Sequence, residues 1–160
     1  MRWIWIDKFT EFVPRVSATA VKAVSLAEEH LHDLYPDYPI VPHSLIVEGM
    51  AQTAGILVGE AGNFAEKVIL AKIGRATFHR LVRPGDTLVF HARIEQFAEH
   101  GASCAGTVTV GADVVAEIEL MFSHVDKNMA GVQFPEHNFV FTEQFTQLLN
   151  SYKQAGAVTI

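Results

Sequence analysis

An α+β domain, in which an antiparallel sheet packs on one long buried helix, is the fold class predicted by three features of the sequence. The stretch SLIVEGMAQTAGILVGEAG after His43 is apolar on almost every side, as a helix sunk in a core must be. Leu88, Phe90, Ala92 and Ile94 alternate with Thr87, Val89, His91, Arg93 and Glu95. Val114, Ala116, Ile118, Leu120 and Phe122 repeat that period, with Glu117 and Glu119 turned outward. Alternation of this kind marks strands with one buried face, and a helix laid on them makes an α+β layer pair.

In chain order, residues 15 to 26 and 68 to 82 read as strands, with the helix beginning near Ser44 between them. Pro84-Gly85-Asp86 is a turn: proline fixes one central dihedral and glycine accepts a positive one. Ser103 to Val110 is a further strand, bounded by His100-Gly101 and Gly111-Ala112-Asp113, so the last three strands form a meander. Beyond them, FTEQFTQLLNSYKQ sets Phe141, Phe145, Leu148, Leu149 and Tyr152 on one helical face. Thr142 is the expected N-cap, and Gly156 follows the last periodic residue. The expected organisation is one domain over 1–125 and a C-terminal extension over 126–160 whose amphipathic helix docks on it.

Composition narrows the function. A chain of 160 residues with 49% hydrophobic content builds one core. A net charge of −6 argues against nucleic acid as partner, and weakens the case for an acidic carrier protein. Lys67, Lys72, Arg75, His79, Arg80 and Arg83 crowd together, and read as solvated charge guarding a sheet edge. The start, MRWIWIDKF, has too short an apolar stretch for a leader, and no apolar run reaches bilayer length. The lone Cys104 excludes an internal disulfide, so a cytoplasmic setting is expected. Its strand parity with Val108 and Val110 makes it a core residue rather than a nucleophile. His30 and His32 would share a strand face near Asp33, but read as surface histidines rather than zinc ligands. Gly55, Gly59 and Gly62 lack the Lys-Ser/Thr of a phosphate loop and read as close helix packing. No metal or cofactor is expected.

Glu48 carries the candidate chemistry. A glutamate in the first turns of a helix is also favoured by the helix dipole without any catalytic role. Here, however, Glu48 and Gln52 together interrupt the apolar run, and being four apart they share one face. A buried polar pair must find partners, in a ligand or a neighbouring chain. A carboxylic acid among apolar side chains keeps its proton to higher pH, which suits general acid work.

The run LYPDYPIVPHSL followed by IVEGMAQTAG resembles the 3-hydroxyacyl-(acyl-carrier-protein) dehydratases. In that family a loop HFPGxPxxPGxL leads into a helix opening with Glu or Asp and bearing a Gln. Pro36, Pro39, Pro42, Leu45, Glu48, Met50, Ala51 and Gln52 match its positions. AVSLAEEHL resembles a strand of the family, and ATFHRLVRPGDTLVF its strand, turn and strand, so the likeness covers about residues 15 to 125.

The resemblance implies a hotdog fold, no cofactor, and a role in fatty acid or related acyl metabolism. The implied reaction removes water from a 3-hydroxyacyl thioester, on acyl carrier protein or coenzyme A, to leave a 2-enoyl thioester. It also implies a homodimer or higher oligomer, with the loop of one chain meeting the helix of the other. Glu48 would be the acid. Leu34 stands where the family has its catalytic histidine, and His43 where it has a glycine whose N–H polarises the thioester carbonyl. Leucine takes no proton, so His43, or His32, is the substitute base, with Leu34, Tyr35, Pro42, Ser44 and Gln52 binding substrate. Two alternatives stay open. One is a thioesterase in which Glu48 activates water or attacks the carbonyl; the other is a non-catalytic acyl-binding subunit of a heterodimer whose partner supplies the histidine.

Overall fold

The computed structural model describes residues 4–125, 135–138, 140–141 and 143–157. Strands β1 (Lys8–Val13), β2 (Ser17–Ala23), β3 (Val68–Phe78), β4 (Thr87–Ala98), β5 (Gly101–Val110) and β6 (Asp113–His124) make one sheet. Its order is β1-β2-β4-β5-β6-β3, and each neighbouring pair is antiparallel. Helices α1 (His30–Asp33) and α2 (His43–Ala61) follow β2, and α3 (Glu143–Ala157) follows the sheet.

The meander of β4, β5 and β6 follows the alternation of the sequence. Leu88, Phe90 and Ala92 are fully buried. In β6 the parity breaks: Val115 and Ala116 are both buried, while Val114, expected inside, is exposed. The cause is a register shift, with Val108 opposite Ala116 but Thr109 opposite Val114. Val115 is the extra residue of a bulge, and one extra residue moves everything before it to the other face.

Three other expectations are corrected. β1 occupies residues not read as a strand. AVSLAEEHL is not a strand throughout: β2 ends at Ala23, a turn follows, and His30 and His32 lie in α1. Two residues apart on a helix is about 200°, so these histidines do not share a face. Gly156 sits inside α3 rather than beyond it, and Thr142 lies outside the described residues.

Packing of α2 on the sheet depends on two glycines. Gly49 lies against the Phe90 ring and Gly106 of β5 receives the Met50 thioether; a methyl group at either position would overlap its neighbour. Gly49→Ala gains about 1 kcal/mol of helix propensity, but overpacking a filled core costs about 1–3 kcal/mol. The overlap should win, because Phe90 is wholly buried. A melting temperature lowered by several degrees is expected; one unchanged or raised would show that the ring yields.

β3 forms one edge of the sheet and carries exposed Ile69, Leu70 and Ile73. Three of the basic residues expected to guard this edge are paired with acids. Arg75 meets Glu119 at 2.7 Å, His79 meets Glu117 at 3.1 Å, and Arg80 meets Asp86 at 3.0 Å and Asp113 at 3.4 Å. Among the described residues, no helix is long and apolar enough to cross a membrane.

Candidate active site

Pro42 closes the loop and opens α2. Its backbone is extended, at φ −57° and ψ 141°, and its carbonyl accepts the Leu45 and Ile46 N–H groups at 2.9 and 3.4 Å. Two turns in, Glu48 and Gln52 face the same way. The Gln52 Oε1 accepts the backbone N–H of Trp5 at 2.8 Å and of Ile6 at 3.3 Å. With the oxygen so committed, the amide nitrogen must point outward, and it donates to Glu48 Oε1 at 2.7 Å. The partners expected from a ligand or neighbouring chain are therefore supplied in part by this chain's own N-terminal segment.

Glu48 is half-buried and lines a cavity of about 260 Å³. One wall is α2, with Ala51, Gln52, Gly55 and Ile56; Val68, Ile69 and Leu70 of β3 and Phe122 of β6 face it. Val140, Phe141 and Phe145 complete the lining. An acid beside a mostly apolar hollow is suited to protonating a group on an apolar ligand.

His43 is placed elsewhere. Its ring stacks on Phe78, with centroids 4.0 Å apart and planes 2° from parallel. It lines a second cavity, of about 300 Å³, with Tyr35, Ile40, Val41, Pro42, Ser44 and Leu81. Five helical positions separate it from Glu48, which is about 140° around the axis. Within one chain the two cavities share no lining residue. Tyr35, Pro42 and Ser44 thus gather around His43, and Gln52 around Glu48. Leu34 is exposed at the end of α1 and lines neither cavity.

His32 is tied to its own loop through a hydrogen bond between Nε2 and the Leu26 carbonyl. His30 packs edge-on against Trp5, with ring centroids 5.2 Å apart. Among the described residues, no three of His, Cys, Asp and Glu cluster as metal ligands would. Cys104 is buried, and desolvation, with the Glu95 charge second, pushes its thiol up to about 12. It stays a protonated core residue at neutral pH. The residues missed from sequence are Trp5 and Ile6, which act through backbone N–H groups, and Phe141 and Phe145: the helical stripe expected of them shows a docking face but not its target, and Phe141 lies before α3 rather than on it.

A family model described as the FabA-like domain matches residues 4–119. The chain belongs to the FabA-like family. Its antiparallel sheet around α2 is the hotdog fold. It is 35% identical over 127 residues to a 3-hydroxyacyl-(acyl-carrier-protein) dehydratase FabZ of Rickettsia africae, covering 78% of this chain and 88% of that one. A FabZ of Caldanaerobacter subterraneus is 34% identical over 121 residues, covering 75% and 86%. Among solved structures, the dehydratase heterocomplex ApeI:P from Xenorhabdus doucetiae superposes with a TM-score of 0.64 at 15% identity, over 76% of this chain and 82% of that one.

Proposed function

We propose that this chain is a dehydratase of fatty acid or related acyl metabolism, acting on 3-hydroxyacyl thioesters of acyl carrier protein or coenzyme A. The observation that carries the reading is Glu48, oriented by Gln52 at 2.7 Å and turned toward an apolar cavity. Together with the FabZ likeness over most of the chain, it supports the acid's part for Glu48. A base removes a proton from C2, that electron pair becomes the C2–C3 double bond, and the C3–O bond breaks. Glu48 gives its proton to the departing hydroxyl, which leaves as water.

The base is His43, brought by a second copy of the chain. Its own copy cannot supply it, since His43 and Glu48 line separate cavities. Pairing of two β3 edges would bury Ile69, Leu70 and Ile73 and continue the sheet. Tyr35, Pro42, Ser44 and Leu34 then belong to the incoming loop, where they contact substrate, and Gln52 positions the acid. A cytoplasmic homodimer is the working form. Sedimentation should give at least a dimer at micromolar concentration, and a species of 17.7 kDa alone would count against it.

A second reading rests on Leu34, an exposed side chain without a titratable group where the resemblance places a histidine. In it, the chain is the acyl-binding subunit of a mixed dimer. Purified chain incubated with 3-hydroxyacyl thioesters separates these readings. Enoyl absorbance without free thiol is expected of the dehydratase. Free thiol without enoyl product assigns a thioesterase, and turnover only after adding a histidine-bearing related subunit assigns the mixed dimer.

A further inference from the structure

Val140, Phe141 and Phe145, which complete the Glu48 cavity, follow the sheet and lie beyond the FabA-like match, which ends at residue 119. The segment that carries them is fixed at both ends. Asn138 Nδ2 donates to the carbonyls of Phe64 at 3.0 Å and Glu66 at 3.1 Å, while its Oδ1 accepts the N–H groups of Val140 at 3.0 Å and Phe141 at 3.1 Å. Further on, Leu149 of α3 is only 1% exposed. Phe64 itself has φ +55°, a conformation rare for a bulky residue, which surrounding structure must hold in place. The Asn138 bond to its carbonyl and the edge-on Phe141 ring, 5.1 Å between centroids, do so.

Phe141 is seated where α2 has no side chain. A methyl group at Gly59 would overlap its ring, so the ring rests directly on the helix backbone. Gly59 lies eleven residues along α2 from Glu48, a rise of about 16 Å. Phe145, on the first turns of α3, lines the same cavity. The cavity, about 260 Å³ and partly open to solvent, has room for roughly eight or nine groups of water size at about 30 Å³ each.

Resting on the dehydratase-type acyl site above, we infer that the C-terminal extension is a chain-length stop: Phe141 and Phe145 end the acyl pocket that starts at Glu48 and restrict it to short and medium acyl chains. Apolar chain fills the cavity outward from Glu48 until it meets the two rings. Each further methylene that finds a buried place strengthens binding about fourfold. One that meets a ring finds none, so affinity stops rising with length.

Calorimetry with S-alkyl pantetheine thioethers from butyl to tetradecyl tests this on the full chain, without requiring turnover. In the wild type, affinity should climb with length and then stop or fall before dodecyl. Phe145→Ala should move the optimum to longer chains and strengthen binding of the longest members at least tenfold. Phe145→Trp, a larger ring at a half-buried position, should move it to shorter ones. Opposite shifts support the stop, and a fold defect common to both variants could not produce them. If the thioethers bind but both variants keep the wild-type optimum, the stop is overturned while the acyl site stands. If no thioether binds the wild type, the acyl site fails and the stop with it.

Discussion

Glu48→Gln is expected to remove nearly all dehydration, on the order of a hundred- to ten-thousandfold in rate. The change is nearly isosteric, and the new amide oxygen can still accept the Gln52 N–H that now reaches Glu48 at 2.7 Å. The link from Gln52 to Trp5 and Ile6 is therefore kept, and the pocket with it. What is lost is the proton delivered to the leaving hydroxyl, so kcat should fall while KM changes little. His43→Ala should produce a comparable loss if His43 is the base. It is a mild change structurally, because the ring is exposed and stacks on Phe78. If both single variants act on one proton-transfer unit, the double variant should be hardly slower than either. Turnover that survives His43→Ala intact would remove His43 from the mechanism.

The parts of this fold that can be read from sequence are those where one physical rule dominates. α2 is apolar all round because the sheet curls about it, and Ile46, Met50, Ala54 and Leu57 are buried. From Thr87 to Glu95 β4 alternates because one face meets that helix, and the pattern ends at a register shift between Ile94 and Gln96. β1 is not legible: its burial pattern breaks at a register shift between Phe9 and Glu11, so period two never develops. α1 escapes for a different reason, since a single helical turn has too few residues to show a period. The same division runs through the site. The i, i+4 spacing of Glu48 and Gln52 reveals a shared face, but their anchor at Trp5 and Ile6 is backbone N–H, to which no residue type is special. That His43 sits on another side of α2 follows from helix geometry; the cavity it lines with Tyr35 and Leu81 depends on loop paths that no local pattern encodes.

Leu34→His should raise dehydration, by up to about a hundredfold, because His43 is only a substitute for a base at this place on the loop. Leu34 is 54% exposed, and a surface exchange of this kind changes stability by no more than about 0.5 kcal/mol. Any effect on rate is therefore chemical rather than structural. The new imidazole would stand on the loop just before Tyr35, where the resemblance read from the sequence places a histidine. In a dimer that sets this loop opposite Glu48 of the other copy, it can take the C2 proton while Glu48 protonates the hydroxyl. An imidazole accepts a proton only when neutral and titrates at about 6.5. The added activity should accordingly rise with pH through that value and be lost below it. A gain confined to Leu34→His, with an inert wild type, would make the natural chain the acyl-binding subunit of a mixed dimer. A wild type that turns over and gains nothing from the new histidine would show that the side chain at position 34 does not turn toward Glu48.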